Sequence, residues 1–131
     1  MKRLAIVAGV LAALIASTMV EAAPTCAVGK NTVAPVASIS FAVPTLQSDG
    51  TALTAPITYN LYQGTASGAE VKVASGVGPN SPVTVSTGLV SGETVYWYLT
   101  AVDANGEGAP SNEVCKVFPA AVPGTFVITI T

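Results

Sequence analysis

VYWYLTAVDANGEGAPSN, residues 95–112, decides the fold. Val95, Trp97, Leu99 and Ala101 alternate with Tyr96, Tyr98, Thr100 and Val102. A period of two sustained over aromatic and β-branched residues predicts a strand with two unlike faces. Trp97 is the only tryptophan in the chain. Leaving it in water would forfeit roughly 2–3 kcal/mol of burial, so the face carrying Val95, Trp97 and Leu99 is expected to point inward. Asp103-Ala-Asn105-Gly106 then predicts a tight hairpin turn, because Asn and Gly accept positive φ angles. A further strand follows Pro110.

Outward from this stretch, composition narrows the class. A chain of 131 residues is one domain by the usual prior. Only 9% of it is charged, against about 25% in an average soluble domain, so its polarity comes from Ser, Thr, Asn and Gln. With 12 Gly and 9 Pro, turns are frequent. A Thr- and Val-rich chain punctuated in this way predicts an all-β protein of the extracellular kind. The net charge is −2, and beyond Arg3 the only cations are Lys30, Lys72 and Lys116. Nucleic-acid binding requires a basic footprint that this chain lacks, and an anionic membrane surface is an unsuitable partner for the same reason.

The first 22 residues read as a secretory signal rather than as part of the fold. Lys2 and Arg3 form a positive start, residues 4–16 are apolar, and Val20-Glu21-Ala22 offers a cleavage site after Ala22. Removal leaves 131 − 22 = 109 residues, close to the ~100 of one immunoglobulin-like sandwich. Ala23-Pro24-Thr25 before Cys26 lacks a leucine-led lipobox. A competing reading retains the segment: residues 4–20 are largely apolar, at the lower limit for a membrane-spanning helix. It would then serve as an anchor or as the stem of a pilin-like subunit. The short apolar run ending in a cleavage motif favours removal.

From Pro24 onward the chain reads as short strands separated by turns, with no helical period. Strands are expected at residues 25–28, 36–43, 57–62, 70–74, 83–89, 95–102 and 112–118. Gly29-Lys30-Asn31, Gln47-Ser48-Asp49-Gly50, residues 76–81 and Ser91-Gly92-Glu93 supply turns, and Pro44, Pro56 and Pro82 mark strand ends. Ile39, Phe41 and Val43 share one face of the second strand, and Ile57, Tyr59 and Leu61 one face of the third. Seven short strands with one apolar face each predict a two-sheet sandwich over residues 23–118.

These residues also resemble a family. Leu89-x-x-Gly92 followed by YWYLTAVDANGEGAPSN is similar to the end of a fibronectin type III domain of the bacterial type. There an aromatic strand runs into Ala-Val-Asp, a Gly turn and Pro-Ser. Ser40-Phe41-Ala42-Val43-Pro44, the Asp49-Gly50 turn, and ITYNLYQG at residues 57–64 resemble its second and third strands. The likeness spans most of residues 36–118. Two positions depart from it. Phe41 stands where the family usually has tryptophan, and Val95 falls where its corner tyrosine is expected. A one-residue slip would turn Trp97 outward.

Cys26 and Cys115 are the only cysteines. In an exported protein they are expected to form a disulfide, and in such a sandwich the first and last strands can lie side by side. Residues 119–124 read as a stiff linker. After it, Phe126, Ile128 and Ile130 alternate with Val127, Thr129 and Thr131. This tail is expected to add a strand to its own domain; the sharper alternative offers it to a neighbour by strand addition.

Catalysis has little to work with. The chain contains no histidine, so neither a Ser-His nor a Cys-His pair can exist. Asp49, Glu70, Glu93, Asp103, Glu107 and Glu113 are spaced as solvated turn or strand-edge charges rather than as a carboxylate pair facing one cleft. Asp103-x-Asn105-x-Glu107 looks like part of a calcium loop but lacks the remaining ligands, and turn chemistry accounts for it. No metal or cofactor is expected. Tyr62, Tyr96 and Tyr98 are placed on the outer face of one sheet by pairing of the third and sixth strands. That placement is either ordinary cross-strand packing or a binding face. The expectation is therefore an exported, non-enzymatic β-sandwich with a structural or binding role at the cell surface or in an extracellular assembly. The alternatives are a self-assembling surface subunit, pilus-like or virion-decorating, and a carbohydrate-binding accessory module. The expected partner is a protein or glycan surface, with self-association through residues 126–131 as the alternative.

Overall fold

The computed structural model describes residues 23–30, 34–47, 49–122 and 127–130. The expected signal segment lies outside the described residues, as do Asn31 and Ser48 of two predicted turns, residues 123–124 of the predicted linker, and Phe126 and Thr131 of the tail. The elements are β1 (Ala27–Val28), β2 (Ala37–Ile39), β3 (Thr58–Gly64), β4 (Val71–Val77), β5 (Val83–Val85), β6 (Thr94–Asp103), β7 (Gly106–Pro110) and β8 (Val114–Val117). All are strands, in two sheets. One has six strands in the order β1-β8-β6-β3-β4, with β7 also beside β6; the other is the antiparallel pair β2-β5.

The predicted alternation is realised over residues 95–99, and beyond them Thr100 on the outer face is buried as well. Val95, Trp97 and Leu99 are buried, while Tyr96 and Tyr98 between them are partly exposed. The core joins Tyr59, Leu61, Val95, Trp97 and Leu99 of the larger sheet to Ala37, Ile39 and Val85 of the smaller, with Phe118 closing one end. Phe41 packs edge-on against Tyr59 at 4.7 Å. Trp97 is 2% exposed. Its ring meets Phe118 edge-on at 6.3 Å, and its indole N–H donates to Gln63 Oε1 at 2.8 Å, satisfying the one polar atom that burial would otherwise strand. Val95 is fully buried, so the absence of a tyrosine there produces no slip of register.

The strand count differs from the expected seven, because an additional strand, β7, forms between the expected strands at 95–102 and 112–118. β7 and β8 occupy successive stretches of the same flank of β6, with Val102 opposite Glu107 and Trp97 opposite Val114. Pro110 has no N–H to continue the ladder, and Ser111 bridges the break. Its backbone N–H donates to Leu99 O at 2.8 Å, and its hydroxyl accepts the Leu99 N–H at 3.0 Å. The hairpin turn also differs. Asp103 pairs with Gly106, so Ala104 and Asn105 are the central residues. No described residue other than glycine has positive φ; Gly106 has +130°. The turn is held by Asp103 Oδ1, which accepts the Asn105 N–H at 2.8 Å, an Asx arrangement that needs no left-handed Asn.

Other boundaries shift for local reasons. The second strand stops at Ile39, since the Phe41 N–H donates to Ser81 Oγ at 2.9 Å rather than to a strand. Val43, expected inward, is 45% exposed. β4 runs past the predicted Ala74 to Val77, through a register shift opposite Tyr59 and Leu61. Gly76, at φ +65°, supplies the left-handed residue such a bulge accommodates. β5 ends at Val85, short of the predicted Leu89. β1 runs parallel to β8, with Ala27 opposite Lys116, and one residue earlier Cys26 and Cys115 form a disulfide at a Cα–Cα distance of 4.6 Å.

Candidate functional site

The outer face of the larger sheet gathers the predicted tyrosines and several polar residues. Tyr62 on β3 lies directly opposite Tyr98 on β6, and their rings stack at 4.5 Å with 13° between planes. Tyr96 stands opposite Gly64 on one side and Cys115 on the other, so it shares this face with the disulfide. The glycine leaves Tyr96 without a side chain across from it on β3.

Glu107, which sequence reasoning set aside as a solvated charge, is the centre of this face. Tyr62 Oη donates to Glu107 Oε1 at 2.7 Å, the Thr100 hydroxyl donates to the same oxygen, and Lys72 Nζ lies 3.2 Å from Oε2. Side-chain hydrogen bonds from Asn60, Thr100 and Tyr62 hold the Glu107 carboxyl down at about 2. Its hydrogen bond to Glu107 raises the Tyr62 phenol, and the same partner raises the Lys72 ammonium. Lys72 Nζ also sits 5.5 Å from the Tyr62 ring centre, within cation–π range. Asn60 and Thr100 are buried polar residues, facing each other across β3 and β6. The signal for Glu107 was available. Counting back from the turn places it opposite Val102, and hence on the same face as Thr100 and Tyr98.

The other predicted carboxylates build turns. Asp103 Oδ2 accepts from the Thr54 N–H at 3.2 Å and Gln47 Nε2 at 3.3 Å, which fastens residues 47–54 to the hairpin. Hydrogen bonds from Asn105 and Thr54 lower its carboxyl. Asp49 is lowered by Thr51, whose hydroxyl and N–H it accepts at 2.6 and 2.9 Å. Glu113 accepts Ser67 Oγ at 2.8 Å and the Gly68 N–H at 3.0 Å. Burial and the hydrogen-bonded Glu113 raise the Glu70 carboxyl, while Glu70 and Ser67 lower Glu113. The motif Asp103-x-Asn105-x-Glu107 does not converge as a ligand set. Asp103 faces N–H donors of its own turn, and Glu107 faces Lys72 and two hydroxyls on the sheet.

A cleft of about 500 Å³ lies between residues 41–53 and the β6-β7 hairpin, with Phe41, Leu46, Leu53 and Pro110 among its walls and Asp103 and Glu107 at its rim. Tyr59 contributes to its wall, and its hydroxyl is buried without a hydrogen-bond partner among the described residues. Burial raises that phenol.

The geometry defines a β-sandwich in which the carboxylates of Asp49, Asp103, Glu107 and Glu113 each accept hydrogen bonds. A search of solved structures finds a Fn3-like protein from Clostridium thermocellum, 25% identical, with a TM-score of 0.42, over 74% of this chain and 95% of that one. No family model matches the sequence, and no curated protein does.

Proposed function

We propose that the protein is an exported, non-enzymatic β-sandwich module with a structural or binding role at the cell surface or in an extracellular assembly. The observation that carries this reading is the outer face of the larger sheet. There Tyr62, Thr100 and Lys72 lock onto the single ionised carboxylate of Glu107, making a rigid aromatic surface without a group poised for proton transfer at neutral pH. The disulfide and the signal-like N-terminus support export. Intact mass of the protein exported by a host expressing all 131 residues tests this. The expected mass is that of residues 23–131 less two hydrogens, and a retained leader or free thiols would overturn the export reading.

Two specific observations favour narrower readings. The stacked pair Tyr62 and Tyr98, with Tyr96 beside them, offers flat rings to a sugar. Tyr96→Ala with Tyr98→Ala should abolish binding on a glycan array while leaving the fold intact. The second observation is the tail. Val127, Ile128 and Ile130 are 90%, 76% and 93% exposed, and residues 127–130 enter no strand among those described. The expected extra strand on the same domain is not formed by these residues. An unpaired apolar segment of this kind supports a self-assembling surface subunit. Size-exclusion chromatography with light scattering distinguishes a monomer from an assembly.

A further inference from the structure

The two sheets of the sandwich are closed unevenly. β1, which precedes β2 in the chain, pairs with β8 in the larger sheet, and the smaller sheet ends at β2. Between the two lies a cleft of about 430 Å³ lined by Val28, Ala34, Val36 and Phe118 and by Lys30 and Lys116. Val28 and Val36 are 74% and 47% exposed. Just before β2, the Val36 carbonyl is met by the Lys116 ammonium at 2.9 Å rather than by a strand. Among the described residues this is an open sheet edge with an apolar slot beside it, the arrangement that accepts an added strand.

The same chain carries a matching segment. Phe126, Ile128 and Ile130 alternate with Val127, Thr129 and Thr131, a period-two pattern that buries one face beside a sheet. Nine positions separate Val127 from Phe118, which lines the slot (127 − 118 = 9), yet Val127, Ile128 and Ile130 remain exposed in their own copy. Resting on the self-assembling reading above, we propose that residues 126–131 of one copy add as a strand to the outer edge of β2 in a second copy, with alternate side chains filling the slot. The outer edge of β4 is the poorer acceptor. It carries Lys72 and the irregularity at Gly76, both features that discourage edge pairing. Joining the tail of one copy to the edge of another closes into a dimer when two copies exchange tails and otherwise extends into a series of oligomers.

The test uses the whole 131-residue sequence, exported with its disulfide intact, beside Ile128→Asp/Ile130→Asp and Ala34→Glu variants. Ala34 is exposed, and circular dichroism checks that both variants fold. Light scattering should show a concentration-dependent mass at least twice the monomer for the parent and the monomer for both variants. Hydrogen exchange of the parent should slow by about tenfold or more at residues 36–39 relative to the Ile128→Asp/Ile130→Asp variant, since a paired amide exchanges only on opening. β4 should be unchanged. Oligomers protected at β4 instead, or insensitive to Ala34→Glu, would overturn the β2 assignment and leave self-assembly standing. A monomeric parent with residues 36–39 protected would mean that the tail closes its own slot. A monomeric parent without that protection would overturn self-assembly itself.

Discussion

Replacing both cysteines, Cys26→Ala with Cys115→Ala, removes a bridge that closes the chain across 89 residues. In the loop-entropy model that closure is worth about 4.6 kcal/mol at 25 °C, acting through the unfolded chain. Little is lost from the folded side. β1 is two residues long and exposed, and its pairing with β8 involves only Ala27 and Val28. Small domains have net stabilities of about 5–15 kcal/mol, so the change removes a large fraction of the total. Urea unfolding followed by the fluorescence of Trp97, the sole tryptophan, reads it directly, because that ring lies opposite Val114, next to Cys115. With a slope of about 1.5 kcal/mol per molar urea, the midpoint should fall by about 3 M. Reduction of the parent protein should reproduce the shift without a mutation. A midpoint lowered by less than about 0.5 M would refute the reasoning, showing either that the unfolded chain is already compact or that the bridge does not constrain it.

The Glu107 carboxyl is held at about 2 in the folded protein, below its ordinary value of 4.5. Its contribution to stability is therefore present above about 4.5 and lost as pH falls toward 2. Glu107→Gln should flatten this arm of an acid-unfolding curve, and an unchanged curve would contradict the hydrogen-bonded face described above. Trp97→Ala should cost about 3–5 kcal/mol by leaving a cavity between the sheets, measured as a lowered thermal midpoint; a loss below about 1 kcal/mol would mean that the ring is not core. Ser111→Ala removes the hydroxyl that accepts the Leu99 N–H and should cost about 1 kcal/mol. Ser111→Thr should restore most of it.

The strand carrying Trp97 was legible in the chain because a period of two is a local property. Burial simply selects the face with the larger apolar residues. The same holds for the third strand, and the cysteine pairing follows from a count of two in a chain whose start reads as a secretory signal. Strand ends were less legible. The proline at 110 announces a break but not that Ser111 would bridge it, and the turn at 103–106 is set by a carboxylate accepting from its own backbone rather than by the Asn-Gly pair. Glu107 is a solvent-exposed charge, as its spacing implies, but its partners, Tyr62, Lys72 and Asn60, lie on strands distant in sequence, so the network around it emerges only once the sheet is assembled.

Period, composition and punctuation therefore settle how each segment prefers to lie, since those preferences depend on near neighbours alone. Which edges meet is a different matter. That β1 joins β8 instead of β2, that among the described residues the smaller sheet stops at two strands, and that Val127, Ile128 and Ile130 stay exposed follow from competition among many non-local pairings. Each closes a loop whose entropy and packing can be weighed only once the whole chain is folded.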